Sequence, residues 1–192
     1  MWPWEHIAVA YLAYSLVVRI ASGRAPHGDA ALAVVAAALL PDLIDKPLAW
    51  GAHVLPSGRS LAHSLLFAAP AISLSRLVAG RRIAAAFALG YCSHLATDVV
   101  YPVVLEQPPA IEFLLWPLLE QPPDDTPGLL FRTQHLFVEF LGFLQTTRGR
   151  LYLLFEIALL ATALVLWLLD GRPGPGTIRS WVGPGQEDPR GT

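Results

Sequence analysis

Residues 83–104 read Ile83-Ala84-Ala85-Ala86-Phe87-Ala88-Leu89-Gly90-Tyr91-Cys92-Ser93-His94-Leu95-Ala96-Thr97-Asp98-Val99-Val100-Tyr101-Pro102-Val103-Val104. A helix rises 1.5 Å per residue, so about 20 apolar residues cross the ~30 Å hydrocarbon core of a bilayer. This run is long enough, yet it carries His94 and Asp98 in its second half. An ionisable group at that depth costs several kcal/mol unless it pairs, binds a metal or lines a wet cavity. The stretch therefore predicts both a spanning helix and a site.

Working outward, Leu151 to Leu169 is a second run of spanning length. Shorter apolar runs cover His6 to Ile20, Ala30 to Ile44 and Leu61 to Val78. Of the 192 residues, 54% are hydrophobic and 15% charged, with a mean hydropathy of +0.49. Soluble domains carry about 25% charged residues, so this balance predicts an all-α, polytopic membrane bundle of four to six helices. A net charge of −2 without a basic block argues against nucleic-acid binding, which needs clustered Lys and Arg. Cys92 is the single cysteine; it can form no internal disulfide and reads as core filler. Met1 to His6 lacks the basic flank of a signal peptide, so this segment is expected in the mature protein. Residues 1–170 read as one membrane-embedded domain, and the Gly/Pro-rich 171–192 as a disordered tail. Between them, Ile111 to Leu119 reads as a short interfacial segment and Thr133 to Leu144 as a helix capped by Thr133.

Lys and Arg are retained on the cytoplasmic side of membranes. Arg19 and Arg24 follow the first helix, and Arg76, Arg81 and Arg82 join the third to the fourth. That face is expected to be cytoplasmic. Alternating helix directions then bring His6, Asp42 and Asp45, Arg59 and His63, and His94 and Asp98 towards the other, non-cytoplasmic face. Side chains three or four apart share a helix face, so His94 with Asp98, and Asp42 with Asp45, are spaced to grip an ion. Imidazole plus carboxylate is the ligand set of hydrolytic zinc and of manganese, where a bound water becomes the nucleophile.

These motifs resemble the membrane-bound metal-dependent hydrolases of the inner-membrane, YdjM-like group. The resemblance rests on His6, Leu40-Pro41-Asp42 with Asp45, Arg59 with His63-Ser64, Gly90-Tyr91-Cys92-Ser93-His94 with Asp98, and Leu115-Trp116-Pro117. Many members carry a further His before the His-Ser element and space their two acids as Asp-x-Asp. Here Gly58-Arg59-Ser60 and the Asp42/Asp45 spacing depart from that, which leaves either acid as the ligand, Asp42 first because it follows the proline. The order of motifs is also similar to zinc-dependent phospholipase C and the single-strand zinc nucleases. That similarity implies metal roles for His6 and for His135 with Glu139, and one to three ions, Zn²⁺ first and Mn²⁺ second.

The expected function is hydrolysis of a phosphoester or lipid-derived ester in the inner membrane. Asp42 or Asp45, His63, His94 and Asp98 would hold the ion, and Arg59 and Asp45 would serve catalysis. Membrane lipid is the expected partner. A proton- or ion-conducting transporter and a non-catalytic scaffold are the alternatives, the first disfavoured because the polar residues collect on one side.

Overall fold

The computed structural model describes residues 1–182, all helix and loop. The elements are α1 (Pro3–Ser22), α2 (Gly28–Lys46), a π-helical turn (Pro47–Gly51), α3 (Leu65–Val104), a 3₁₀ turn (Glu112–Leu115), α4 (Leu129–Leu144), α5 (Thr147–Leu169) and α6 (Pro175–Val182). The polytopic helical architecture expected from the sequence is present. α3 and α5 are long and apolar enough by themselves to cross a membrane.

The first two helices are longer than their apolar runs, at 20 and 19 residues. Local chemistry extends the first of them. Pro3 occupies the first helical turn, where its missing N–H costs nothing, and the Glu5 carboxylate accepts the backbone N–H of Trp2 at 2.6 Å. At the other end Gly23, at φ 65°, supplies the left-handed residue that closes α1 onto the Arg19 carbonyl.

The third and fourth runs form one continuous element broken at Gly80, whose φ of 81° and ψ of 174° are non-helical. Residues 65–79 and 81–104 are thus two arms that turn back on each other. Ser64, not Leu61, caps the first arm, its hydroxyl accepting the Leu66 N–H at 3.1 Å. α4 begins at Leu129, so Thr133 is no cap; its hydroxyl bonds back to the Leu129 carbonyl at 2.8 Å. Of the tail read as disordered, Pro175–Val182 is helical and packs on α2; 183–192 lie outside the described residues.

Small residues bring the helices together. Ala10, Ala30, Ala37, Ala38 and Ala86 are fully buried where α1, α2 and the second arm of α3 meet. Close backbone approach is how helices associate when lipid is as apolar as the core. Leu16, Ile20, Leu74, Leu77, Leu164 and Leu169 instead stand exposed on the outside, as lipid-facing side chains do. Cys92 joins that exposed set, not the core.

Pairings fix the directions. Trp4 Nε1 donates to Glu156 at 2.6 Å midway along α5, and Tyr11 and Ser15 donate to Asp170 at its end, at 2.6 and 2.7 Å. α1 and α5 are therefore parallel. Arg19 also pairs with Asp170, and Arg82 with Asp29, at the end of the bundle remote from His6.

Gly90 marks a tight crossing of α2 and α3, since a Cβ there would lie 2.5 Å from the Val34 carbonyl oxygen. Gly90→Ala is expected to separate α2 from α3 and cost about 1–3 kcal/mol. Thermal unfolding in detergent, measured against wild type, checks this.

Candidate metal centre

At the end of the bundle where α1 starts and α2 and α3 finish, four side chains converge. Asp42, His63, His94 and Asp98 each present one ligand atom, all within 4.8 Å of one another, and all four residues are buried. Among the described residues this is the group whose spacing suits a shared ion.

The hydrogen bonds around the imidazoles decide how they are oriented. His94 Nδ1 lies 2.7 Å from the Ala38 carbonyl oxygen, an acceptor, so Nδ1 carries the proton. His63 Nδ1 lies 2.8 Å from Asp45 Oδ2 and donates likewise. His6 Nδ1 lies 3.0 Å from Thr97 Oγ1, whose own hydroxyl hydrogen serves the Ser93 and His94 carbonyls. In every ring Nδ1 is committed and Nε2 is left with its lone pair. These lone pairs face carboxylates and one another: His63 Nε2 is 3.1 Å from His94 Nε2 and 3.5 Å from both Asp42 Oδ1 and Asp98 Oδ2. His6 Nε2 is 3.4 Å from Asp98 Oδ1, and its ring stacks on His94 at 3.8 Å.

Lone pairs and anions packed this closely out of water need a cation between them. Two atoms confirm the deficit, because His6 Nε2 and Asp42 Oδ1 are buried without a hydrogen-bond partner. The residues thus fit a divalent ion, with each His oriented through its other nitrogen as metal-ligating histidines are. When no metal is bound, a proton can take its place. Burial opposes the His63 imidazolium, but Asp42, Asp45 and Asp98 outweigh it and push His63 up to about 10.

His63 lies outside any helix, and Asp45 holds it there. The two Asp45 oxygens accept the backbone N–H groups of Ser60 at 2.8 Å, Ala62 at 2.8 Å and His63 at 3.2 Å, besides the imidazole. Tyr91 donates to the Ala62 carbonyl, and Ser64 to the Trp116 carbonyl at 2.6 Å. Both oxygens of Asp45 are occupied in this way, so of the two acids Asp42 belongs to the group that could hold an ion, while Asp45 positions His63.

The remaining expected residues are placed differently. Arg59 lies half-buried with its guanidinium over Phe113 at 5.5 Å, and Phe113 meets His63 edge-on at 5.9 Å. It forms no ion pair with a site carboxylate among the described residues. His135 and Glu139 pair with each other at 3.3 Å on the exposed face of α4. Neither joins the buried group, so a third ion held by them has no support in the structure. The α-amino group of Met1 lies 3.3 Å from Asp98 Oδ1.

Sequence reasoning missed Thr97 and Lys46. Both stand at helical spacing from a ligand, Thr97 at i+3 from His94 and Lys46 at i+4 from Asp42, where Lys46 Nζ is 2.5 Å from Oδ2. That spacing was available as a signal. The Ala38 carbonyl had none. Phe113 was placed only in a generic interfacial segment, yet it is 1% exposed.

The model of the YdjM inner membrane protein family matches residues 1–172. The chain belongs to that family. Comparison with curated proteins and with solved structures gives no match. The YdjM match spans α1 to α5 and every residue of the buried group.

Two outcomes are expected. Metal uptake near pH 7 should release about one proton from His63, with affinity rising up to about tenfold per pH unit below its pKa. Calorimetry in buffers of different ionisation enthalpy reads the proton count. Asp45→Asn should weaken metal binding about 10–100-fold by releasing His63, whereas His135→Ala should leave it unchanged in the same titration.

Proposed function

We propose that this YdjM family chain is a membrane-embedded, metal-dependent hydrolase acting on a phosphoester or lipid-derived ester. One observation carries the reading: two imidazoles, His63 and His94, each tied through Nδ1, aim Nε2 at a point shared with Asp42 and Asp98, while His6, tied in the same way, faces the other oxygen of Asp98. Two nitrogens and two carboxylates suit Zn²⁺ first and Mn²⁺ second. When bound, such an ion supplies Lewis acidity and lowers the pKa of a coordinated water towards about 7.

The chain's own residues supply the rest. Asp42, His63, His94 and Asp98 hold the ion. Asp45 and the Ala38 carbonyl keep two of the rings from rotating. Asp98 divides its oxygens, Oδ2 towards His63 and His94 and Oδ1 towards His6. His6 Nε2, outside the four-residue set, can accept a proton from a water at the site or join the site of a second ion. Phe113 and the buried alanines exclude bulk water, which strengthens every electrostatic interaction inside.

The setting favours a lipid-borne substrate. α4 lies at the same end of the bundle as the site, buries none of its residues, and exposes Leu130, Phe131, Phe137 and Val138. A surface of that kind sits at a membrane boundary. The far end carries Arg19, Arg24, Arg76, Arg81, Arg82, Arg172 and Arg179 against Lys46, Arg59, Arg132, Arg148 and Arg150 near the site. This asymmetry supports a cytoplasmic far end and a site on the opposite face.

Elemental analysis of detergent-purified protein should find about one zinc or manganese per chain, and phospholipid or artificial phosphoester hydrolysis that depends on it. His94→Ala with Asp98→Ala should remove the metal and reduce hydrolysis to background. Wild-type protein without stoichiometric metal, or a double variant that keeps it, refutes the reading. Ion flux in reconstituted vesicles without hydrolysis would favour a conducting protein instead.

A further inference from the structure

Lys46 stands where it hinders a metal ion. Its ammonium is 2.5 Å from Asp42 Oδ2, while the other oxygen of the same carboxylate, Oδ1, is the orphan that faces His63 and His94. A unit positive charge a few ångströms from a divalent ion repels it, and little water intervenes to screen the two. The lysine is the one Lys of the chain. It is also no free surface group, because its stem runs to a carboxylate that is itself buried and its ammonium lies 5.8 Å from the centre of the Trp50 ring.

Exposure gives the direction of approach. The Lys46 side chain is 27% exposed, against 8% for Asp42, 7% for Asp98 and 0% for His63 and His94. The lysine side chain therefore lies on the accessible side of the buried group. Two cations side by side, one at the floor and one at the rim, form a poor metal site on their own and a good site for an anion that touches both. Tetrahedral oxyanions match this, since one oxygen can face the ion while a second takes the Lys46 ammonium in charge-assisted hydrogen bonding. Arg59, expected from the sequence to serve catalysis, stacks on Phe113 instead.

We propose that Lys46 is the anion-binding residue of the site, and that the substrate class is a phosphate or phosphoester whose non-bridging oxygen it receives. This rests on the metal-site reading. In the absence of anion, Lys46 neutralises Asp42; an arriving phosphate oxygen competes for the same ammonium.

Full-length protein loaded with zinc in a non-ionic detergent, freed of excess metal, is titrated with inorganic phosphate by calorimetry. Lys46→Met should weaken phosphate binding tenfold or more, and zinc affinity should stay level or rise as the repulsion is removed. Lys46→Arg should keep phosphate affinity within a few-fold of wild type. A merely structural lysine gives the opposite pattern, with zinc affinity and thermal stability falling in Lys46→Met; that result overturns the proposal. Phosphate affinity indifferent to Lys46→Met, or absent in zinc-loaded wild type, overturns it while leaving the metal reading intact. Wild-type protein that takes up no zinc overturns both.

Discussion

The constraint on which the site depends is the fate of the three Nδ1 atoms. Each donates to an acceptor supplied by the fold: a side chain of α2 for His63, a main-chain oxygen of α2 for His94 and a hydroxyl of α3 for His6. Once these are set, the Nε2 atoms of His63 and His94 meet, and that of His6 faces Asp98. Neutral imidazoles and carboxylates would not gather in this way from hydrophobicity alone. The gathering is held by the helices and is relieved only by a positive charge at its centre.

Helix packing makes this possible. With alanines and Gly90 at the crossings, α2 and α3 approach closely enough for the Ala38 carbonyl to reach His94. Leucines at those positions would widen the gap and leave Nδ1 without an acceptor. Small residues thus serve two levels at once, replacing the hydrophobic drive that lipid removes and setting the distance across which the imidazole is oriented.

Much of this was legible in the sequence. The apolar runs announce the helices, and the misplaced His and Asp residues announce the site, because membrane depth makes each of them costly. What the sequence hides is whatever depends on a backbone atom or on the sign of a local preference. Asp42 and Asp45 are the same residue type three apart, and only the turn at Ser60 to His63 reveals that one faces inward while the other gathers N–H groups. Arg59 was attractive as a cation beside a histidine, yet its flat guanidinium finds an aromatic face first. Lys46 was legible as an i,i+4 partner of Asp42, but its role depends on which carboxylate oxygen it takes. The extra turns of α1 come from capping and proline chemistry, which hydropathy does not register.

The pairing of α5 with α1 bears on how the protein is assembled. α5 reaches the bundle through α1 by a ladder of polar contacts, Trp4 to Glu156, Tyr152 to Glu5, and Tyr11, Ser15 and Arg19 to Asp170. Its outward face is otherwise left to lipid. α5 therefore adds a polar lock to the rotation and depth of α1, the helix that carries His6, beyond the packing of α1 on α2 and α3. During synthesis α2 and α3 can bring together Asp42, His63, His94 and Asp98, and α1 can bring His6 to Thr97 and His94, before α5 emerges; the polar rungs along α1 are filled when α5 enters the bilayer. The buried group is in this sense assembled early and locked late, because Glu5, Tyr11 and Ser15 of α1 wait for their partners on the C-terminal side of the chain.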